Sequence, residues 1–297
     1  MIFKSIAVIP NEKKDPDFER TKNLIEYLLK IGESGINIFV NEIYQQKINN
    51  CMLKYRIKYA NEEDLYKSCD LLVALGGDAT MLRTAAKASR LRKPVIGVNL
   101  GRIGFMSEIE LDEIHLFERV FAGDFKIENR MMIDAEIIKN AKGAGEAQII
   151  QNIGSALNDA VITNGVMAKL IEMDLFCDGV KITHYRADGV IIAPPTGSTA
   201  YSMSAGGPFI DPNIECLCVT PICPYSLSGR PIIFSHDSVL ELRTASDEVY
   251  LTVDGQINVK LSEGDVVRVK KSQFAAKLLS VKNHGFFDVI RAKISEN

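Results

Sequence analysis

After its leading aspartate, the segment Asp70–Leu75 (DLLVAL) has no polar side chain, so a strand there has no face to give to water. A strand covered on both sides belongs inside a parallel sheet with helices packed on its faces. The neighbouring segments agree. Ser5–Pro10 is a short apolar strand, and Phe18–Ile31 follows with Leu24, Leu28 and Ile31 at helical spacing before Gly32 ends it. Ile36–Val40 reads as strand, Thr80–Arg90 as a helix rich in Ala, Leu and Lys, Pro94–Val98 as strand, and about Leu111–Ala122 as helix. Strands alternating with helices predict a mostly parallel α/β N-terminal domain.

Near Phe125 the pattern changes to strands and turns with little helix, as far as about Lys270. Ile171, Met173, Leu175 and Cys177 alternate with Glu172, Asp174 and Phe176, the period of a half-buried strand. Asp178-Gly179 and Asp254-Gly255 tolerate positive φ and predict tight hairpins, the second between Val249–Val253 and Ile257–Leu261. The second region is therefore an antiparallel β-domain, and Phe286–Ile294 is helical again. The expected division is residues 1–128, a β-rich domain over 129–270, and a tail over 271–297.

A net charge of −3 gives no basic surplus for broad nucleic-acid binding, although one loop is enough to hold a nucleotide's phosphates. No run of apolar residues has the length of a membrane helix, and the six cysteines include no Cys-x-x-Cys, so reduced thiols in a cytoplasmic protein are expected.

Four segments have residues suited to chemistry. Gly76-Gly77-Asp78-Ala79-Thr80 lies between a buried strand and a helix, where open α/β sheets bind ligands. In one reading the glycines let the backbone approach a ligand, the helix start offers N–H groups to an anion, and Asp78 projects into the crevice. In the other it is a tight turn with Asp78 or Thr80 as helix N-cap. The loop Asn99–Phe105 (NLGRIGF) follows the adjacent strand, so both would line one crevice, though its glycines lack G-x-G-x-x-G spacing. Asn158-Asp159 interrupts an apolar stretch, either as a plain turn or as an amide and carboxylate for hydroxyls or an amine. In Asp188–Pro208 (DGVIIAPPTGSTAYSMSAGGP) an apolar strand runs into two prolines. Ser198, Thr199, Ser202 and Ser204 then offer hydroxyls, and Tyr201 offers a ring for a planar base. Arg186 could neutralise a phosphate or be a solvated strand-end residue. Cys216, Cys218 and Cys223 read as small hydrophobes, and no histidine has ligand or triad spacing. There is no Walker A or protein-kinase motif set.

Taken in order, these segments resemble the NAD kinase family: GGDAT at Gly76–Thr80, GVNLGRIGF at Gly97–Phe105, LND at Leu157–Asp159 and the block Asp188–Pro208. TPICPYSLSGRPIIF (Thr220–Phe234) and VDGQ (Val253–Gln256) extend the match, and GSTAYSMSAGGP is its most specific part. The resemblance implies a parallel α/β N-terminal domain, an antiparallel β-sandwich-like C-terminal domain and a C-terminal tail returning to the first. It implies transfer of the γ-phosphoryl of ATP, or of polyphosphate in its place, to the adenosine-ribose 2′-hydroxyl of NAD+, with Mg2+ or another divalent cation, in a homodimer or homotetramer. Asp78 would be the catalytic residue, as general base or by orienting the metal–phosphate group. An aspartate's ordinary pKa of about 3.9 favours positioning over proton affinity. Gly76, Gly77, Thr80 and Arg83 would meet the ATP phosphates, and Gly77 would also border NAD+. Phe105 would pack at the nicotinamide end, Asn158 and Asp159 would hold hydroxyl and amine groups, and Asp188, with Arg186 nearby, would face the nicotinamide side. Thr199, Ala200, Tyr201 and Ser204 would surround adenine.

Two residues depart from the family pattern, Ala79 for glycine and Asp159 for glutamate. A β-carbon at residue 79 is tolerable at negative φ and crowded at positive φ. Ala79 motivates one rival, a non-catalytic NAD(P)(H)-binding sensor. Another is a lipid or sugar kinase sharing only the Gly-Gly-Asp turn.

Overall fold

Five short strands take up the apolar runs of the first hundred residues: β1 (Ser5–Pro10), β2 (Asn37–Asn41), β3 (Ile57–Ala60), β4 (Leu71–Gly76) and β5 (Pro94–Asn99). In this computed structural model, which describes residues 2–32, 35–48, 56–101, 104–139, 149–165, 170–226, 229–244, 246, 248–282 and 285–295, they pair in parallel in the order β5-β4-β1-β2-β3. The short β6 (Ile109–Glu110) adds to β5. Arg102 and Ile103 of the second glycine loop lie outside the described residues, as do Leu227 and Ser228 of the Thr220–Phe234 stretch and His284. The chain divides into two compact units, Met1–Asn129 with Ala275–Asn297, and Arg130–Phe274.

In the first unit every residue of β4 is buried, as its composition requires. The helices are α1 (Glu19–Ile31), α2 (Gln45–Ile48), α3 (Glu62–Ser68), α4 (Asp78–Arg90) and α5 (Phe117–Ala122). Helix α1 buries Leu24, Ile25, Leu28 and Leu29 against the core formed with Ile6, Val8, Val73 and Leu75, and Gly32 closes it by donating to the Leu28 carbonyl. Each of these side chains contributes on the order of 1.5–3 kcal/mol by leaving water. The helix expected over Leu111–Ala122 is instead a 3-10 turn over Leu111–Leu116 followed by α5, and Glu110 and Glu113 cap the turn reciprocally.

The second unit is built from β7 (Lys126–Lys139), β8 (Ile149–Ala156), β9 (Ala160–Asn164), β10 (Ile171–Cys177), β11 (Val180–Ala187), β12 (Gly189–Ala193), β13 (Cys216–Ile222), β14 (Ile232–Ser235), β15 (Leu240–Thr244), β16 (Val249–Val253), β17 (Ile257–Lys260) and β18 (Val266–Ser280). One sheet is antiparallel throughout, in the order β14-β13-β12-β9-β16-β17. Facing it are β11-β10-β15-β18 and the pair β7-β8, also antiparallel. Ile133, Ile162, Leu175, Ile192, Leu217, Leu242, Leu251 and Val267 form the core the two layers share, the arrangement of a β-sandwich. Both Asp-Gly hairpins form, with φ of 50° and 80° at Asp178 and Gly179 and of 49° and 65° at Asp254 and Gly255.

Strand β12 (GVIIA) does not alternate because it is central and covered on both faces. Val190 and Ile192 enter the sandwich core, while Ile191 and Ala193 pack with Val161 and Ile222 on the other side. A helical turn over Pro195–Thr199 and the short α6 (Tyr201–Ser204) follow it. The end of β18 belongs to the first unit, where Lys277 and Leu278 pair in parallel with Pro94 and Val95. The Glu108 carboxylate fastens this return by accepting from Ser280 Oγ and from the N–H groups of Val281 and Lys282. Helix α7 (Phe286–Ser295) ends the described chain.

Candidate functional site

In the first unit, β4 and β5 are parallel neighbours with Gly76 in register with Asn99, so the two glycine-bearing loops leave adjacent strand ends. The Leu100 N–H donates to the Gly76 carbonyl and ties them together. Helix α4 starts at Asp78, two residues earlier than its apolar pattern indicates. Its N-cap position is held by Gly77, which makes no side-chain cap.

The capped-turn reading fails on the two residues it needs. Thr80 Oγ1 is buried and accepts from Asn11 Nδ2 at 2.8 Å. The Asp78 carboxylate turns to the second glycine loop, taking the Phe105 N–H at 2.9 Å and the Met106 N–H at 3.3 Å. Gly104 leaves the room for this, since a β-carbon there would lie 1.9 Å from Asp78 Oδ1. Asn99 shapes the same loop, accepting from the Gly101 N–H and donating to the Gly101 carbonyl and to Glu110. Ala79 is exposed in the first turn of α4 and is not among the residues at positive φ, so the strain a β-carbon meets at positive φ does not arise. Arg83 is exposed one turn further on, where its charge opposes the rise that burial causes in the Tyr44 and Tyr66 phenol pKa values.

In the second unit, the turn Leu157-Asn158-Asp159 joins β8 to β9. One carboxylate, Asp254, organises it by accepting the N–H groups of Leu157 (2.9 Å), Asn158 (2.8 Å) and Asp159 (3.1 Å). The sequence identifies Asp254 only as a hairpin residue and as part of VDGQ, and that motif was the one signal of its further role. Asp159 is 7% exposed, and no hydrogen bond to its carboxylate occurs among the described residues. Burial first, then the charge of Asp254, pushes its pKa up to about 7. Burial also raises Asp254, while the three N–H donors pull it back.

The Pro195–Thr199 turn packs directly on this loop. A β-carbon on Gly197 would lie 1.6 Å from the Asn158 carbonyl oxygen. Of the four hydroxyls that the sequence singles out in this segment, three are engaged within the fold. Ser198 Oγ accepts from the Ile210 N–H, and the buried Ser202 Oγ pairs with Thr220 Oγ1 at 2.9 Å. Thr199 Oγ1 donates to the Thr196 carbonyl at 3.2 Å, Thr199 and Ala200 are half-buried, and Tyr201 (45% exposed) and Ser204 face outward. Asp188 is exposed at the start of β12, held by its N–H to the Ile222 carbonyl. Arg186 is an engaged surface arginine, pairing with Glu172 at 3.3 Å and lying 5.1 Å over the Tyr225 ring. Cys216 and Cys218 are buried with Ile210, and burial lifts the Cys216 thiol to about 11.

Comparison with known proteins adds to this geometry. Residues 6–125 match the ATP-NAD kinase N-terminal domain family and residues 157–281 the ATP-NAD kinase C-terminal domain family. The chain is 40% identical to the NAD kinase of Caldanaerobacter subterraneus subsp. tengcongensis and 38% identical to that of Thermoanaerobacter sp. (strain X514), in each case over 99% of this chain and 100% of the relative. Among solved structures, the yeast NADH kinase complexed with NADH superposes with a TM-score of 0.87 at 28% identity, covering 100% of this chain and 89% of that one. The NAD kinase from Archaeoglobus fulgidus in complex with ATP gives 0.71 at 26% identity, covering 99% of each chain.

Proposed function

Since the chain belongs to the NAD kinase family and phosphorylates NAD+ with ATP to give NADP+, we propose that Asp78 is the residue at which the acceptor hydroxyl is engaged. The observation that carries this reading is the orientation of its carboxylate, held by the Phe105 and Met106 N–H groups instead of capping its own helix. Two donors fix the carboxylate and leave lone pairs for the adenosine-ribose 2′-hydroxyl. Phosphoryl transfer through a loose transition state asks mainly for alignment and charge stabilisation, so a well-placed acceptor suffices. Gly76, Gly77 and the first turn of α4 receive the donor phosphates, with Arg83 on the next turn adding charge. Thr80 spends its hydroxyl on Asn11 and serves by shaping the loop.

A divalent cation, Mg2+ or another, belongs to the proposal as a companion of ATP. No cluster of three or more His, Cys, Asp or Glu side chains occurs among the described residues, and Mg2+ commonly takes one or two carboxylates with substrate phosphates and water. Asp78 fits that part, and the cation would supply charge neutralisation on the phosphates.

On the second unit, Asn158 and Asp159 hold hydroxyl and amine groups of NAD+, and Thr199, Ala200, Tyr201 and Ser204 take the adenine. On the family resemblance alone, Phe105, Gly77, Asp188 and Arg186 are further NAD+ contacts in the proposal. A dimer or tetramer, which the family resemblance implies, is part of the same proposal. So is a cytoplasmic location; no helix in the described residues is long and apolar enough to cross a membrane. Incubation with NAD+, Mg2+ and either ATP or polyphosphate should give NADP+, read by an NADP+-specific dehydrogenase. No NADP+ with either donor would sink the proposal.

Asp159 makes the binding pH-dependent. A donor group from the ligand favours its carboxylate form, so NAD+ binding should release protons near pH 7 and tighten as pH rises through that value. The stability effect in the ligand-free protein has the opposite sign. Its folded pKa lies above the ordinary value of 3.8, so stability from this group is present at low pH and falls between about 4 and 7. Calorimetry in buffers of different ionisation enthalpy measures the proton release. Asp159→Asn should abolish it, and an unchanged release in that variant would remove Asp159 from the binding step.

A further inference from the structure

We propose that the ammonium of Lys14 binds the phosphates of the nucleotide donor, a part for which no motif in the sequence singles it out. The proposal rests on the reading that the Gly76–Asp78 loop receives the donor. A β-carbon on Gly77 would fall 2.6 Å from Lys14 Nζ, and one on Gly101 would fall 3.0 Å from it. The ammonium therefore lies directly over the backbone of both glycine loops, beside the N-terminal end of α4. No carboxylate pairs with it among the described residues.

The loop that presents Lys14 is anchored on both sides. Before it, Asn11 donates its N–H to the Leu75 carbonyl at 2.9 Å, at the end of β4, and its Nδ2 to Thr80 Oγ1 in α4. The same asparagine folds the loop, its carbonyl accepting the Lys14 and Asp15 N–H groups and its Oδ1 accepting those of Lys13 and Lys14. After it, the Asp15 carboxylate is 4% exposed and accepts the Thr21 N–H at 2.8 Å, Thr21 Oγ1 at 2.6 Å and the Arg20 N–H at 3.2 Å. Lys14 therefore leaves a backbone fixed to β4, α4 and α1. Three ammonium donors placed where glycine backbone and a helix N-terminus converge suit a phosphate chain and nothing apolar. Lys13 carries the same charge one residue away and is the natural control.

Calorimetric titration of ATP and initial-rate kinetics at saturating NAD+ test this with Lys14→Met, Lys14→Arg and Lys13→Met. Loss of a charged hydrogen-bonding partner should weaken ATP binding about tenfold to a hundredfold in Lys14→Met. The KM for ATP should rise in parallel, with NAD+ affinity unchanged. Lys14→Arg should restore most of the affinity. ATP binding by Lys14→Met should also lose part of its dependence on ionic strength. Lys14 is exposed, so the thermal midpoint should not move. ATP affinity within twofold of wild type in Lys14→Met overturns the proposal, as does an equal loss in Lys13→Met, which would mark a general charge effect. A wild-type protein that makes no NADP+ defeats the functional reading instead, and the ATP titration still decides Lys14.

Discussion

Asp78→Asn is expected to lower kcat by roughly 10²- to 10⁴-fold, the range of a lost acid–base or acceptor group, while NAD+ binding is kept. Asparagine keeps the shape but has one acceptor oxygen where the carboxylate has two. The carboxylate now meets the Phe105 N–H with Oδ2 and the Met106 N–H with Oδ1. An amide has to turn its NH2 group toward one of those donors, or toward the incoming hydroxyl. Either arrangement misaligns the acceptor, and a displacement of about 1 Å can cost on the order of 10²-fold in rate. Stopped assays for NADP+ give kcat, and calorimetry gives the NAD+ affinity. A variant that turns over within threefold of wild type would show that Asp78 takes no part in the chemical step.

Gly197→Ala should damage stability and binding together. The added β-carbon would lie 1.6 Å from the Asn158 carbonyl oxygen, 2.5 Å from its carbon and 2.9 Å from the Asn158 Cα. All three are backbone atoms, and Asp254 holds that backbone with three hydrogen bonds, so no flexible side chain can yield. Either the Leu157–Asp159 turn or the Pro195–Thr199 turn has to move. Overpacking of this kind costs about 1–3 kcal/mol, or more where the backbone resists. Urea unfolding should show that loss, and NAD+ affinity should fall with it because Asp159 and the Thr199–Tyr201 segment lie on the two turns. Wild-type stability in the alanine variant would mean that the two turns separate easily.

The two predictions differ in how far the sequence foretells them. Asp78 stands out in the chain, yet the same letters describe a helix cap, and the choice depends on Phe105 and Met106, more than twenty-five residues away. Gly197 is one glycine in a Ser/Gly-rich block, and its opposition to Asn158 arises only when β12 and β9 pair. Strand β3 was not foreseen because it is an edge strand of four residues with one buried side chain, too short for periodicity to register. The 3-10 start of the helix after Leu111 was missed for a similar reason, since six residues have the same apolar spacing in either helix type.

Residue order alone determined the parallel α/β first part, the antiparallel second part and both Asp-Gly hairpins. These follow from local period and local φ preference, which act within a few residues of chain. The run DLLVAL (Asp70–Leu75) belonged to this class, because a strand without a polar face must be buried wherever it goes. Only the tertiary structure decided which polar groups remain available. Ser198, Ser202 and Thr80 are as polar as Ser204, but partners distant in sequence engage them. Asp159 is set apart because packing buries its carboxylate and supplies no donor, with Asp254 beside it. Lys14 matters, in our proposal, because a loop fixed by Asn11 and Asp15 brings its ammonium over two glycines. Burial, hydrogen-bond satisfaction and charge proximity are properties of the assembled chain, so the residues set apart by them were visible only once it was folded.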